Sequence, residues 1–248
     1  MGLVTGKTAL ITGGGTGIGL ATAERLAAEG AHVVITGRRR AELDAAAERI
    51  GPAATAVSGD VSNPADLDRI YAAIRERGRG LDILFANAAV AEFRTLDQVT
   101  EEHFDALFGV NVRGVLFTVQ KALPLLNPGA SVILNGSINA DVGTAGLGVY
   151  AASKAAVRSF ARTWANELKD RGIRVNVVAP GPTETEGLMG LVPEPERPAF
   201  RRRLAERMPF GRLARPEEVA AAVAFLASAE SGFITGSCLY VDGGLTQL

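Results

Sequence analysis

The sequence predicts an α/β fold, a single domain in which a mainly parallel, doubly wound sheet carries helices on both faces. Short apolar runs rich in Val, Ile and Leu alternate along the whole chain with longer amphipathic segments rich in Ala, Glu and Arg, which is the β/α rhythm. Most of the runs are continuously apolar, as strands covered on both faces must be. The 248 residues, 47% hydrophobic and 21% charged, suffice for one sizeable core, and no repeat or linker divides them.

The elements follow in order. Thr8–Thr12 is the first strand, and the glycine-rich turn after it opens a helix that stops at Gly30, where a left-handed residue is needed. His32–Thr36 is the second strand, with His32 structural; Arg38-Arg39-Arg40 then opens a helix. Thr55–Ser58 is the third, and Ser62-Asn63-Pro64 places a capping side chain before a proline at the first helical position. Ile83–Ala86 is the fourth strand. His103 falls in the first turn of the next helix and is expected to be exposed. Ser131–Asn135 is the fifth strand, followed by a strongly helical segment, Tyr150–Lys169, whose Phe160 and Trp164 fall at the spacing of a core or subunit contact. Gly172 ends that region, and Arg174–Val178 is the sixth strand. From Pro180 to Pro209 six prolines and no strand signal predict an excursion over the carboxyl edge of the sheet, with a short helix around Pro198–Met208. Pro216-Glu217-Glu218 starts the last helix, and Cys238–Val241 is the seventh strand.

Composition narrows the function. With 26 basic and 27 acidic residues the formal charge is −1 and the pI about 6.2, so the chain carries no electrostatic footprint for nucleic acid. Its one cysteine, Cys238, cannot form an internal disulfide, and no charged-then-apolar leader stands at the amino terminus, so a reduced, cytoplasmic setting is expected. The longest apolar stretch, Val219 to Ala227, is less than half of the roughly 20 residues a spanning helix requires, so no membrane role is expected. Neither histidine has a partner suited to catalysis, and there is no G-x-S-x-G elbow or paired Cys/His set, so no metal is expected.

The positive signals begin at Thr12-Gly13-Gly14-Gly15-Thr16-Gly17-Ile18-Gly19, between the first strand and the first helix. Glycines there let the backbone turn sharply and approach a pyrophosphate, which the helix N-terminus attracts. Gly13, Gly17 and Gly19 follow G-x-x-x-G-x-G, not the commoner dinucleotide spacing. An apparent P-loop at Gly2–Thr8 is one residue short and precedes its strand, so Lys7 is an ordinary surface lysine. The second strand ends in Arg38-Arg39-Arg40, where an NAD-preferring site usually has an acid. With guanidinium groups able to fork a 2′-phosphate, NADP(H) is expected to be preferred and NAD(H) possible, with Arg38 the first contact and Arg39 the second. Tyr150 and Lys154, four apart on a helix, share a face; an ammonium there is expected to lower the phenol pKa toward working pH for proton transfer in carbonyl–alcohol interconversion. Ser137, just after the fifth strand, can hold a substrate oxygen.

In order and spacing, Thr12–Gly19, Asn87-Ala88, Asn111, Ser137, Tyr150/Lys154 and Pro180-Gly181 resemble the short-chain dehydrogenase/reductase superfamily over essentially the whole chain. The resemblance implies a Rossmann-type, seven-stranded sheet over residues 1–248, with a substrate lid at about 182–210. It implies hydride transfer between a nicotinamide cofactor and a carbonyl or alcohol by an Asn–Ser–Tyr–Lys tetrad. Tyr150 would then be the general acid in reduction, and Ser137 would orient the carbonyl. Lys154 would bind the nicotinamide ribose, and Asn111 would hold a water linking Lys154 to solvent, with Gly109 nearby favouring a local helix distortion. Gly13, Thr16, Gly17, Ile18 and Gly19 would cradle the phosphates. Asp60 and Val61 would meet the adenine, Asn87 and Ala88 the adenosine ribose side, and Pro180, Gly181, Thr183 and Thr185 the nicotinamide. Ala86-Asn87-Ala88-Ala89 departs from the family's N-N-A-G, and Thr183 stands where isoleucine is common.

A substrate pocket is expected from Ile138–Val149, Val90–Phe93 and Gly187, Leu188, Met189, Leu191 and Val192. These mostly small or apolar residues favour a small hydrophobic ketone over a highly charged substrate. A 3-oxoacyl-thioester reductase, whose acidic carrier could meet Arg201-Arg202-Arg203, and a glucose 1-dehydrogenase share the same tetrad. A silent NADP-binding sensor is the non-enzyme alternative. Relatives are commonly homotetramers, and the same assembly is expected here.

Overall fold

The computed structural model describes residues 2–248. Its strands are β1 (Thr8–Thr12), β2 (His32–Gly37), β3 (Ala54–Ser58), β4 (Leu81–Ala86), β5 (Leu126–Asn135), β6 (Arg174–Pro180) and β7 (Cys238–Val241). They form one sheet in the order β3-β2-β1-β4-β5-β6-β7, and every pairing is parallel. The main helices are α1 (Gly17–Ala28), α2 (Arg40–Ile50), α3 (Pro64–Glu76), α4 (Glu101–Phe108), α5 (Val115–Ala122), α6 (Gly148–Glu167), α7 (Glu186–Met189), α8 (Arg197–Arg207) and α9 (Pro216–Ala227).

The continuous apolar runs are explained by two cores, one on each face of the sheet. Leu10, Val34, Leu84, Val132 and Val177 point to one side, against Ile70 of α3, Val119 of α5 and Val157 of α6. Their neighbours Ile11, Ile35, Phe85, Ile133 and Val178 point to the other, against Leu26 of α1, Leu43 of α2 and Val223 of α9. The two-residue period of a strand thus sends alternate side chains into opposite layers. Phe160 and Trp164 stack on α6 with centroids 4.6 Å apart at the border of the first core. Asn63 caps α3 by accepting from the Ala65 amide, and Gly30 and Gly172 are left-handed as expected.

Some boundaries differ from expectation for tertiary reasons. β5 begins at Leu126, with a register irregularity opposite Leu81 and Ile83, where the sequence Leu126-Asn127-Pro128-Gly129 gives no strand signal. β6 runs on through Pro180, because pairing with Val241 holds the strand extended. His103 is not exposed: its side chain is only 10% accessible, and both ring nitrogens are buried without a hydrogen bond, Glu92 Oε2 lying 4.0 Å from Nε2. It lies four residues before the buried Leu107, so the helical period turns it inward, while its first-turn position says nothing about face. Among the described residues no helix is long and apolar enough to cross a membrane.

The strand order reverses between β1 and β4, so the loops leaving them diverge and open a crevice at the carboxyl edge of the sheet. The excursion after β6, containing α7 and α8, borders it.

Candidate active site

The crevice floor is locked by side chains at the ends of three strands. Thr12 Oγ1 accepts from the Asn87 and Ala88 amides at 2.9 and 3.0 Å, and Asn87 Nδ2 donates to the Thr12 carbonyl at 2.9 Å. Asn135 Nδ2 donates to Asn87 Oδ1 at 2.9 Å, tying β5 into the same network. Thr12 and Asn135 are structural contributors that the sequence did not single out as site residues. Both carry the signal of a polar residue ending an apolar strand, and Thr12 also heads the glycine motif.

The glycines have separate reasons. Gly13 and Gly17 have φ of +64° and +54°, where a side chain is strained. Gly19 is instead excluded by space, since a Cβ there would stand 2.0 Å from the Gly13 carbonyl oxygen and 2.7 Å from Asn87 Nδ2. Gly19→Ala is therefore expected to cost about 1–3 kcal/mol through overpacking and to weaken dinucleotide binding, because only movement of the loop backbone relieves the clash. Urea midpoints and fluorescence titrations with NADH and NADPH measure both; a variant equal to wild type in both counts against this account.

A cleft of about 300 Å³ is lined by Gly13, Thr16, Gly17, Ile18, Gly19, Arg38, Arg39, Asp60, Val61, Asn87, Ala88 and Thr185. The glycine cradle at one end and cationic side chains at the other fit a dinucleotide. Glu42 also lines the cleft, so a carboxylate not expected from the end of the second strand stands beside the arginines. Its carboxylate is paired with Arg39 at 2.6 Å, and Arg39 also donates to Thr16 Oγ1 at 3.3 Å. Arg40 faces away, bonded to Asp44 at 2.8 Å. Among the described residues Arg38 has no such partner, which leaves its guanidinium available to a ligand.

A second cavity of about 580 Å³ adjoins the cleft, with Ile18, Ala89, Val90, Asn135, Thr185 and Gly187 in the walls of both. Ser137, Tyr150, Pro180, Gly181 and Thr183 line it. Gly181 is required by close approach, since a Cβ would lie 2.9 Å from Asp242 Cα. Thr183 spends its hydroxyl on the Gly181 carbonyl at 3.0 Å, and Thr185 caps α7 by accepting from the Leu188 amide. Of the expected substrate residues, Ala140, Asp141, Ala145, Gly146, Gly148 and Val149 in the first segment and Met189 and Val192 in the excursion do not line the cavity, and Glu92 turns away to pair with Arg94. Phe200, Arg203, Leu204, Arg207, Leu245 and Thr246 line it instead, brought there by the fold of the excursion and the carboxyl tail.

Asn111 and Lys154 stand behind this wall. A π-helical turn, Gly109–Gly114, separates α4 from α5 and carries Asn111, which is fully buried. Its Oδ1 accepts from the Val90 amide at 2.9 Å, and its Nδ2 donates to the Val90 carbonyl at 2.9 Å and to Ser153 Oγ at 3.1 Å. The side chain therefore clamps the loop after β4 to α6. Lys154, 2% accessible, donates to the Asn135 carbonyl at 2.8 Å and lies 5.6 Å from the Tyr150 ring centroid. Ser137 Oγ accepts from the Asn139 amide at 3.1 Å, which leaves its hydrogen to donate toward Tyr150 or a bound carbonyl oxygen.

The electrostatics correct one expectation. Burial raises the Tyr150 pKa above its ordinary value, and hydrogen bonding with Ser137 opposes this only in part. Lys154 does not reverse the shift, because burial lowers its own pKa to about 8 and its ammonium is engaged by Asn135. Tyr150 is thus a protonated phenol at neutral pH, suited to giving a proton to a carbonyl oxygen. The Lys154 shift also predicts a stability change. Between about 8 and the ordinary 10.5 the unfolded chain binds the proton more readily, so folding gains stability as pH rises through that window and carries the full burial penalty below it. Relative to Lys154→Met, wild type is expected to gain about 2 kcal/mol from pH 7 to pH 9.5 in paired urea unfolding curves; a constant difference would count against it.

Comparison with known proteins agrees with this geometry. Residues 13–246 match the family model described as enoyl-(acyl carrier protein) reductase. The chain is 47% identical over 247 residues to "Oxidoreductase asL5" of Sarocladium schorii, covering 99% of this chain and 98% of the relative. It is 37% identical over 248 residues to a glucose 1-dehydrogenase of Gluconobacter oxydans, covering 97% and 92%. Among solved structures, 3-ketoacyl-(acyl-carrier-protein) reductase from Brucella melitensis complexed with NADH superimposes with a TM-score of 0.91 at 36% identity, covering 98% and 99%. A parallel sheet with a glycine-lined crevice, a Ser–Tyr–Lys group beside it and full-length similarity to such enzymes make this chain a member of the short-chain dehydrogenase/reductase family, an NAD(P)-dependent oxidoreductase.

Proposed function

We propose that the protein is an NADP(H)-dependent reductase of a ketone with an apolar body. The observation that carries this reading is that the Ser137 hydroxyl and a protonated Tyr150 line a cavity continuous with the dinucleotide cleft. When bound, the dinucleotide supplies the hydride that the carbonyl carbon accepts. Ser137 donates a hydrogen bond to the carbonyl oxygen, and Tyr150 Oη gives it a proton as the C=O bond becomes C–O. Carbonyl, hydride and proton together make the alcohol, and the tyrosinate recovers its proton from solvent. Lys154 holds the nicotinamide ribose, and Asn111 positions α6 against the loop carrying Val90 while lying on the route to solvent. Gly13, Thr16, Gly17, Ile18 and Gly19 hold the pyrophosphate; Asp60, Val61, Asn87 and Ala88 hold the adenosine; Pro180, Gly181, Thr183 and Thr185 hold the nicotinamide side. The segment at about 182–210 acts as the lid.

Two observations support the finer choices. Arg38 has no acidic partner in the cleft, which favours a 2′-phosphate and so NADP(H) over NAD(H). The raised Tyr150 pKa favours the acid role, and so reduction over alcohol oxidation. The exposed Leu96, Phe210 and Phe233 are surface that a homotetramer, in a cytoplasmic setting, would cover. The test follows loss of NADPH, and separately NADH, absorbance with ketones, 3-oxoacyl thioesters and sugar lactones, with sedimentation of the same sample. Turnover preferring NADPH with ketones supports the proposal. Preference for a thioester or a sugar replaces its substrate, and tight NADPH binding with no turnover of carbonyls or alcohols replaces it with the sensor reading.

A further inference from the structure

Arg203 and Arg207 are four residues apart on α8, so their side chains leave the same helix face, and both line the cavity that holds Ser137 and Tyr150. No acidic residue lines that cavity. The other arginines nearby are engaged: Arg201 forks onto Glu184 at 2.6 and 3.1 Å, Arg202 reaches Glu206 at 4.0 Å, and Arg197 donates to the Met189 carbonyl at 3.1 Å. Arg203 and Arg207 have no hydrogen-bonding or ionic partner among the described residues. The run Arg201-Arg202-Arg203 is therefore not one basic face for a carrier protein, and only its last member turns to the cavity.

Arg203 also has a fixed seat. Its guanidinium carbon lies 5.9 Å from the centroid of Phe200, which is buried and packs edge-on against Phe93 with centroids 6.2 Å apart. Phe93, Leu147, Leu188, Leu191 and Leu204 make much of the remaining wall apolar. Two uncompensated cations at an apolar cavity focus a positive potential into it, and a guanidinium presents donors in the fork that a carboxylate or phosphate accepts.

We propose that the substrate is a carbonyl compound whose apolar chain ends in an anionic group, a carboxylate or a phosphate, held by Arg203 and Arg207. The identity of the reacting group rests on the reductase reading; the anion site does not. A ligand bound this way meets its charge partners on α8, an element that carries neither Ser137 nor Tyr150, so loss of either arginine raises KM more than it lowers kcat.

Calorimetric titration with hexanoate, hexyl phosphate, methyl hexanoate and hexanol tests the site without turnover. Matched rates with 6-oxoheptanoate, 5-oxohexyl phosphate and their neutral counterparts test it with turnover. Preference for an anionic ligand over its neutral counterpart is expected to fall about tenfold in Arg203→Gln or Arg207→Gln and about a hundredfold in the double variant, with Lys substitutions keeping part of it. Arg202→Gln keeps the full preference, and circular dichroism reports folding of each variant. The better of the carboxylate and phosphate probes identifies the anion. Equal binding of charged and neutral probes by wild type, or full preference in a folded double variant, overturns the site. If anions bind selectively but no ketone is reduced, the anion site stands and the reductase reading falls; equal reduction of neutral and anionic ketones without selective binding gives the reverse.

Discussion

Replacing Tyr150 by Phe is expected to lower kcat/KM for ketone reduction by about 10²- to 10⁴-fold, the usual contribution of a positioned general acid. Phe keeps the aromatic body on α6 and removes only the hydroxyl, which interacts with Ser137. The protein should therefore fold, and the loss should appear in kcat, because the proton is needed only as charge develops on the oxygen. Burial holds the Tyr150 pKa above the ordinary 10.0, so the reductive rate of wild type should stay supplied with protonated tyrosine through neutral pH and fall only on the alkaline side. Initial rates across pH, beside thermal unfolding of both proteins, measure this. A folded Tyr150→Phe enzyme that keeps more than a tenth of wild-type kcat would remove Tyr150 from the acid role.

Arg38→Asp is expected to shift the ratio of NADPH to NADH efficiency by about 10²- to 10³-fold toward NADH, since a charge-assisted fork is lost and a carboxylate able to accept ribose hydroxyls replaces it. The structure explains why Arg38 should dominate. Arg39 is occupied by Glu42 and Thr16, and Arg40 by Asp44, whereas Arg38 lines the cleft without such a partner. Arg39→Gln should matter in a different way, by releasing Glu42 to repel the phosphate. Steady-state kcat/KM values with each dinucleotide decide the matter, and an unchanged ratio in Arg38→Asp would place the phosphate elsewhere.

The layered fold was legible in the sequence because both cores are written into every strand: Leu10 and Ile11, or Val34 and Ile35, are adjacent apolar residues that serve opposite faces. The glycine loop was legible for a related reason, since backbone conformation at Gly13 and Gly17 is a local property. Gly19 was legible as a glycine but not for its whole cause, because Asn87, which with the Gly13 carbonyl excludes a side chain, approaches only when β1 and β4 pair. His103 was misjudged for want of the same information. Its position in the first turn of α4 is local, but the direction of its ring depends on what packs against that helix.

By itself the sequence determined the β/α order, the two-sided core, the crevice-forming glycine turn and the family, because these depend on residue type, period and spacing along the chain. Only the tertiary structure decided the charge states and partners. Burial turned Tyr150 toward the protonated phenol and Lys154 toward a pKa of about 8, Glu42 neutralised Arg39 and left Arg38, and the path of the excursion carried Arg203 and Arg207 into the cavity lined by Ser137 and Tyr150. Desolvation and ion pairing act between groups far apart in sequence, and their magnitude depends on distance and solvent exclusion, neither of which is encoded in local periodicity.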